Sequence, residues 1–205
     1  MYMKNYDDYN KFSKGKEKNN NIDLKDKTLD IEEAQYFVQK YIIVNLYNGL
    51  KIFATTNQLR KFLSAVNEIN NNLTDDDIIS DNNIKIIKDT TMIKYMKTQL
   101  AYLVGRSRDN KDNYEKKYLK EIDDKINEYL SYDMQKKLSY MKEIDDKKSG
   151  SKKEIYYCKK GIEALYIRIL PKIDLIISDK KLDDFKELAR YIEAIVAYHR
   201  FYGGK

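Results

Sequence analysis

The sequence predicts an all-α protein: a compact helical bundle of about five core helices with an inserted long helix or helical hairpin. Three observations carry that prediction. The chain of 205 residues has only 7 Gly and 1 Pro, too few breakers for the many turns of a sandwich or barrel. Apolar residues recur at steps of three and four through several segments. The hydrophobic fraction of 42% is enough to fill one core, even though the mean hydropathy is −0.75.

The elements follow in chain order. Residues 1–28 are mostly Lys, Asn, Asp and Tyr without periodicity and read as a flexible N-terminal tail. A helix opens at Leu29-Asp30-Ile31-Glu32-Glu33, with Asp30 as N-cap and two carboxylates in the first turn. Ala34, Val38, Tyr41 and Ile42 continue its apolar side, although Tyr41–Val44 is β-branched enough to suit a strand. Thr55 and Gln58 then form a capping box, followed by the stripe Leu59, Phe62, Leu63, Val66, Ile69 and Leu73. The acidic stretch Asp75–Asn83 lacks the alternating ligands and central Gly of a calcium loop, so it reads as caps and turns.

A third helix is expected from about Ile84 to Val104, with Ile86, Ile93, Met96, Leu100 and Leu103 inward and Gly105 ending it. Its other side carries Thr90, Lys94, Lys97, Ala101, Gly105 and Arg108. Residues 109–155 read as a charged helical insertion. Leu119, Ile122, Ile126, Tyr129, Met134, Leu138, Met141 and Ile144 form a thin seam through alternating Lys, Asp and Glu, as in a coiled coil, ending in a flexible link over Lys147–Lys153. Ile155, Cys158, Ile162, Leu165 and Ile169 line the next helix, which Pro171 is expected to kink or end, with Ile173 and Ile176 beyond it. The last helix has Leu182, Phe185, Ala189, Ile192, Val196 and His199 inward and stops at Gly203-Gly204. The bundle core is thus 29–108 plus 156–205.

Composition and motifs narrow the function. A single cysteine excludes an intrachain disulfide and suits a reducing compartment. No stretch is apolar enough for a signal peptide or a membrane span, so the cytoplasm is the expected location. One His and one Cys are too few for a zinc site, and neither GxxxxGK[ST] nor GxGxxG occurs, so neither metal nor cofactor is expected. A Ser/His/Asp or Cys/His device would have to use His199, whose apolar stripe reads instead as packing. Its place in the last helical turn favours a partly cationic ring. The pairs Asp123-Asp124 and Asp145-Asp146 sit in a balanced charge pattern and read as solvent face. No enzyme is expected.

The net charge is +6. Much of the lysine is what A/T-rich codons would supply, so position carries more than the total. Residues 56–108 and 156–205 hold most of the excess, while 109–155 is balanced. Arg60, Lys61, Lys94, Lys97, Arg106 and Arg108 cluster at one helix start and along and beyond another, as a phosphate backbone would require. Ala101 and Gly105 leave room for a close approach, or for tight helix packing.

Three passages resemble a known family. They are Thr55–Asn67 (TTNQLRKFLSAVN), Leu100–Arg106 (LAYLVGR) and Ile192–Arg200 (IEAIVAYHR). In this order they resemble the small subunit of the type III-A CRISPR effector, the Csm complex, over roughly 30–108 and 156–204. The resemblance implies a non-catalytic all-α subunit of an antiviral ribonucleoprotein. Copies would stack in an inner filament against backbone and large subunits and hold the crRNA–target RNA duplex or single-stranded target RNA. Independently of the resemblance, exposed apolar residues on short helices suit self-association of the free protein as a homodimer. Family basic positions fall on Arg60, Lys61 and Arg106; Lys94, Lys97 and Arg108 come from the helical stripe, and Arg200 serves RNA or a neighbour. The other reading of the residues is a helical adaptor that binds a protein partner through its coiled-coil-like insertion, without nucleic acid.

Overall fold

The computed structural model describes residues 27–46, 49–107, 134, 138–145 and 152–204. The architecture is broadly all-α and compact. The first helix, α1 (Ile31–Phe37), is capped by Asp30, whose side chain accepts the Glu32 N–H. It continues through a π-helical turn, Val38–Ile42, into strand β1 (Ile43–Leu46), which pairs antiparallel with β2 (Gly49–Ile52). Helix α2 (Thr56–Asn72) starts at the expected capping box: Thr55 Oγ1 accepts the Gln58 N–H, and Gln58 Oε1 accepts the Thr55 N–H. A 3-10 turn, Asp75–Asp77, leads into the hairpin of β3 (Ile78–Asp81) and β4 (Ile84–Ile87). Helix α3 spans Thr91–Ser107. Strands β5 (Ser139–Asp145) and β6 (Lys152–Cys158) form a third hairpin. Helices α4 (Gly161–Asp179) and α5 (Leu182–Phe201) complete the bundle.

Helix α5 is the hub. It packs on α1, α2 and α4, while α3 packs on α4 and α2. The inward residues expected for α1, Ala34, Val38, Tyr41 and Ile42, are all buried. So are Leu59, Phe62, Val66 and Ile69 of α2, Ile93, Met96 and Leu100 of α3, and Leu182, Phe185, Ala189 and Ile192 of α5.

Three expectations are corrected. The third helix does not begin at Ile84. Asn82 and Asn83 both take positive φ (46° and 67°), the signature of a two-residue hairpin turn, and so place Ile84–Ile87 in a strand. Nor does Gly105 end α3, which runs to Ser107 with Val104 still buried beneath it. Residues 139–145 and 152–158 are strands where a helical seam, a link and a helix start were expected. The run Ile155-Tyr156-Tyr157 is β-branched and aromatic, which suits the extended backbone. Of the two outcomes expected at Pro171, a kink or an end, the helix does not end: α4 runs through it to Asp179. The ring forfeits one backbone bond, about 3 kcal/mol in a helix interior. Ile169, Lys172, Ile173 and Ile176 are buried around it and hold the helix together.

Met134 and Leu138, expected in the seam of the insertion, are fully buried in the common core. Leu119, Ile122, Ile126 and Tyr129 lie outside the described residues, as do residues 1–26 of the expected tail. Thr28 is already part of the fold, since its carbonyl accepts a bond from Arg168.

Two buried cations cross-link the bundle. Arg168, 1% exposed, donates Nε to Glu33 Oε1 (3.0 Å) and Nη2 to Glu33 Oε2 (2.5 Å). The Tyr191 hydroxyl donates to the same carboxylate at 2.9 Å. Burial, and then the adjoining Glu33 charge, push this phenol well above its ordinary range, so it remains a donor. One turn along α4, Lys172 binds Asp184 and Glu187 of α5, each at 2.6 Å. Glu187 also accepts the Leu29 N–H at 2.6 Å.

Removing one partner of a buried ion pair leaves the other uncompensated, at about 3–5 kcal/mol. Glu33→Gln and Arg168→Met should each lower the unfolding free energy by about that much in urea titrations. The double variant Glu33→Met/Arg168→Met should lose less than the two single losses combined.

Candidate nucleic-acid interface

The expected basic residues fall on three helices. Arg60 and Lys61 sit in the second turn of α2 and are exposed, because Leu59 and Phe62 on either side are buried and anchor that turn. Lys94 and Arg106 are exposed on α3. Arg200 is exposed in the last turn of α5. No described carboxylate lies within ion-pair distance of these five. Lys97 differs: it is half-buried and reaches Asp174 of α4 at 2.5 Å. It therefore holds α3 to α4, and its charge is largely offset. Arg108 lies outside the described residues.

The tertiary structure brings two of these sets to one end. His199 Nε2 lies 2.8 Å from the carbonyl of Ala54, just before the α2 cap. The last turn of α5, carrying Arg200, thus abuts the start of α2, which carries Arg60 and Lys61. The start of α4 closes on the same place. Gly161 has φ of +59°, and a β-carbon there would collide with the Phe53 carbonyl, so only glycine fits. The Lys160 ammonium lies 4.4 Å over the Phe53 ring.

The stripe along α3 is open. Ala101 and Gly105 are exposed, and a β-carbon on Gly105 would meet nothing within 4 Å. Among the described residues these small side chains do not serve close helix packing. Thr90, expected on this stripe, is buried ahead of the helix. There Asp89 accepts the N–H and hydroxyl of Thr91, which hold its carboxyl below the ordinary carboxylate range. The sequence reading passed over two further residues of α3: Tyr95 and Tyr102 are 58% and 65% exposed. Their signal was available, since they lie seven residues apart, two turns on one face.

The acidic stretch is used for caps. Thr74 and Asp77 form a reciprocal box, and Lys88 Nζ donates to the Asp76 carbonyl. The hydrogen bonds from Thr74 hold the Asp77 carboxyl below its usual range. Among the described residues no cluster of three His, Cys, Asp or Glu could hold a metal, and no helix is long and apolar enough to cross a membrane.

His199 is buried, as its stripe predicts, but its ring is not cationic. Burial lowers its pKa, and Arg200 adds to that, while the bond to Ala54 opposes it only in part. The neutral ring donates Nε2–H to Ala54, and its buried Nδ1 finds no partner. Gly204 folds back against the imidazole: its N–H donates to the His199 carbonyl at 2.9 Å, and a β-carbon there would overlap the ring. The site gives this histidine no reactive neighbour among the described residues, and its visible role is to join α5 to the start of α2.

Residues 117–205 match the family model Csm2 Type III-A. That is somewhat less than half of the chain, and over this part the chain is similar to the small-subunit family of the type III-A Csm complex. The match contains Arg200 and the third of the resembling passages. Arg60, Lys61, Lys94, Lys97, Arg106 and Arg108 lie before it. No curated protein and no solved structure gives a match.

The histidine makes a pH dependence. With its folded pKa below the ordinary 6.5, the unfolded chain takes up the proton first. The stabilising contribution is complete above about 6.5 and is lost progressively as pH falls from there toward the folded value. Urea midpoints should drop between pH 7 and 5, and His199→Gln should flatten that part of the profile, leaving the loss below pH 4 that carboxylates cause.

Proposed function

We propose, on the match to the type III-A small subunit, that this chain is a non-catalytic component of an antiviral CRISPR ribonucleoprotein in the cytoplasm. Copies stand side by side in an inner filament and hold the backbone of guide–target RNA, or of single-stranded target RNA, against the backbone and large subunits. The observation that supports this most is the division of the cations into two classes. Those in the interior, Arg168 and Lys172, are each bonded to carboxylates. Arg60, Lys61, Arg106 and Arg200 are exposed with no described carboxylate within ion-pair distance, and Lys94 is exposed with Asp89 near enough to feel its charge but not ion-paired to it. A protein that folds on its own ion pairs while leaving a second set of charges unneutralised has those charges available for phosphates.

The mechanism is electrostatic. Sequence selection belongs to pairing between guide and target, so the protein has only to neutralise phosphates and hold the strand in place. Each copy contributes a few contacts, and repetition along the RNA turns weak individual binding into strong retention. Arg106 and Arg60 suit this because a guanidinium matches phosphate oxygens in a forked geometry. Lys97, spent on Asp174, contributes less than the sequence suggests. Arg108 is assigned to the same strand by the periodicity of the stripe alone.

Binding of single-stranded RNA by the isolated protein should be weak, indifferent to sequence, and should fall as salt rises. Arg60→Ala plus Arg106→Ala should keep the helical circular dichroism of the parent and reduce target RNA retention by the assembled complex. Two lost phosphate contacts should also flatten the log K against log salt line by about 1–1.5. Unchanged retention with an unchanged slope would remove these two residues from the interface.

A further inference from the structure

The outward face of α3 carries more than charge. Among the tyrosines whose side chains are described, Tyr95 and Tyr102 are the two that stand exposed. The others are buried or half-buried; Tyr191 donates to Glu33, and Tyr202 accepts from Gln35. Tyr95 and Tyr102 lie two helical turns apart, on the side opposite the buried Ile93, Leu100 and Val104. Arg106 continues the same face one turn on, and its guanidinium carbon is 5.9 Å from the Tyr102 ring centroid. Tyr95 makes no ring contact with a described residue. Helix α3 contains Lys94, Lys97 and Arg106 and no carboxylate. An open ring at Tyr95 and an exposed ring at Tyr102 with the Arg106 guanidinium beside it, on a helix without negative charge, match what unpaired nucleotides require: a flat apolar surface for the base and a cation for the phosphate.

We propose that Tyr95 and Tyr102 are stacking platforms for unpaired bases of single-stranded RNA, with Arg106 holding the adjoining phosphate. The inference rests on the RNA-binding reading above and adds the form of RNA this face selects. The rings are separated by about 10 Å along the helix axis, at 1.5 Å per residue. Stacked neighbours in a strand are only about 3.4 Å apart. That span is about three such steps, so the two rings serve bases that are not adjacent, and each base must leave the stack on one side to lay a face on its ring, which the paired bases inside a duplex cannot do. The face distinguishes the two forms by access to the base planes rather than by charge.

The test compares a labelled mixed-sequence single-stranded RNA with the same RNA annealed to its complement, by fluorescence anisotropy on the full chain. Tyr95→Leu plus Tyr102→Leu removes both rings from solvent-facing positions, and Tyr95→Phe plus Tyr102→Phe keeps them. The leucine pair should bind the single strand about tenfold more weakly or worse, bind the duplex within about twofold of the parent, and keep the parent's salt slope. The phenylalanine pair should bind both as the parent does. A leucine pair that binds single strands like the parent, or that loses both forms equally, overturns the stacking role and leaves the electrostatic reading standing. A parent that binds neither form overturns both. Self-association that disappears in the leucine pair, with RNA binding unchanged, makes the face a contact between copies and likewise overturns this proposal.

Discussion

The bundle depends on one buried contact. Arg168 of α4 meets Glu33 of α1 across 135 residues of sequence, in a place with almost no water. A guanidinium left there without its carboxylate would carry its full desolvation cost. The pair therefore forms only when α1, α4 and α5 are all in place, because Tyr191 of α5 and the Thr28 carbonyl complete the same cluster. Lys172 repeats the arrangement one turn later with Asp184 and Glu187. Interior charges of this kind add specificity of assembly more than net stability, since only one alignment of the helices satisfies them.

The same economy shapes the exterior. Carboxylates of α1 and α5 are drawn inward to Arg168 and Lys172, and Asp174 is taken by Lys97. The outer face of α3 is then left without acid, and the start of α2 meets the end of α5 with three exposed cations. Rigid helices fix these groups at a modest entropic cost on binding, because little besides side-chain rotamers has to be ordered. The neutral His199 serves this arrangement by holding the end carrying Arg200 against Ala54.

Much of this was legible in the sequence where periodicity and capping agree. The Thr55–Gln58 box, the α2 stripe and the inner stripe of α5 follow from local chemistry, and the helices sit where those signals put them. The strands were harder. Asn82-Asn83 is a turn signal, but it stands in an acidic run that invites a loop reading. In 139–158 the charge alternation of a solvated helix and that of a hairpin look alike until the partner strand is known. Which of a kink or an end Pro171 would cause was not legible, because its cost is local while the packing that carries α4 past it is tertiary. The Arg168–Glu33 pair left no trace in spacing at all, since nothing in a single chain of letters says that residues so far apart meet. Of the site, the exposed arginines were readable from helical phase. The diversion of Lys97 to Asp174 was not, because it requires knowing that α3 lies on α4.

The central claim is that exposed cations on α2, α3 and the end of α5 touch RNA. Ultraviolet cross-linking of the complex purified from its native host, with mass spectrometry of the nucleotide-bearing peptides, reads this most directly. The account predicts adducts in the peptides spanning 56–61 and 91–107, with none in the buried core of α4. Adducts absent from both peptides in a complex that retains its RNA would contradict it.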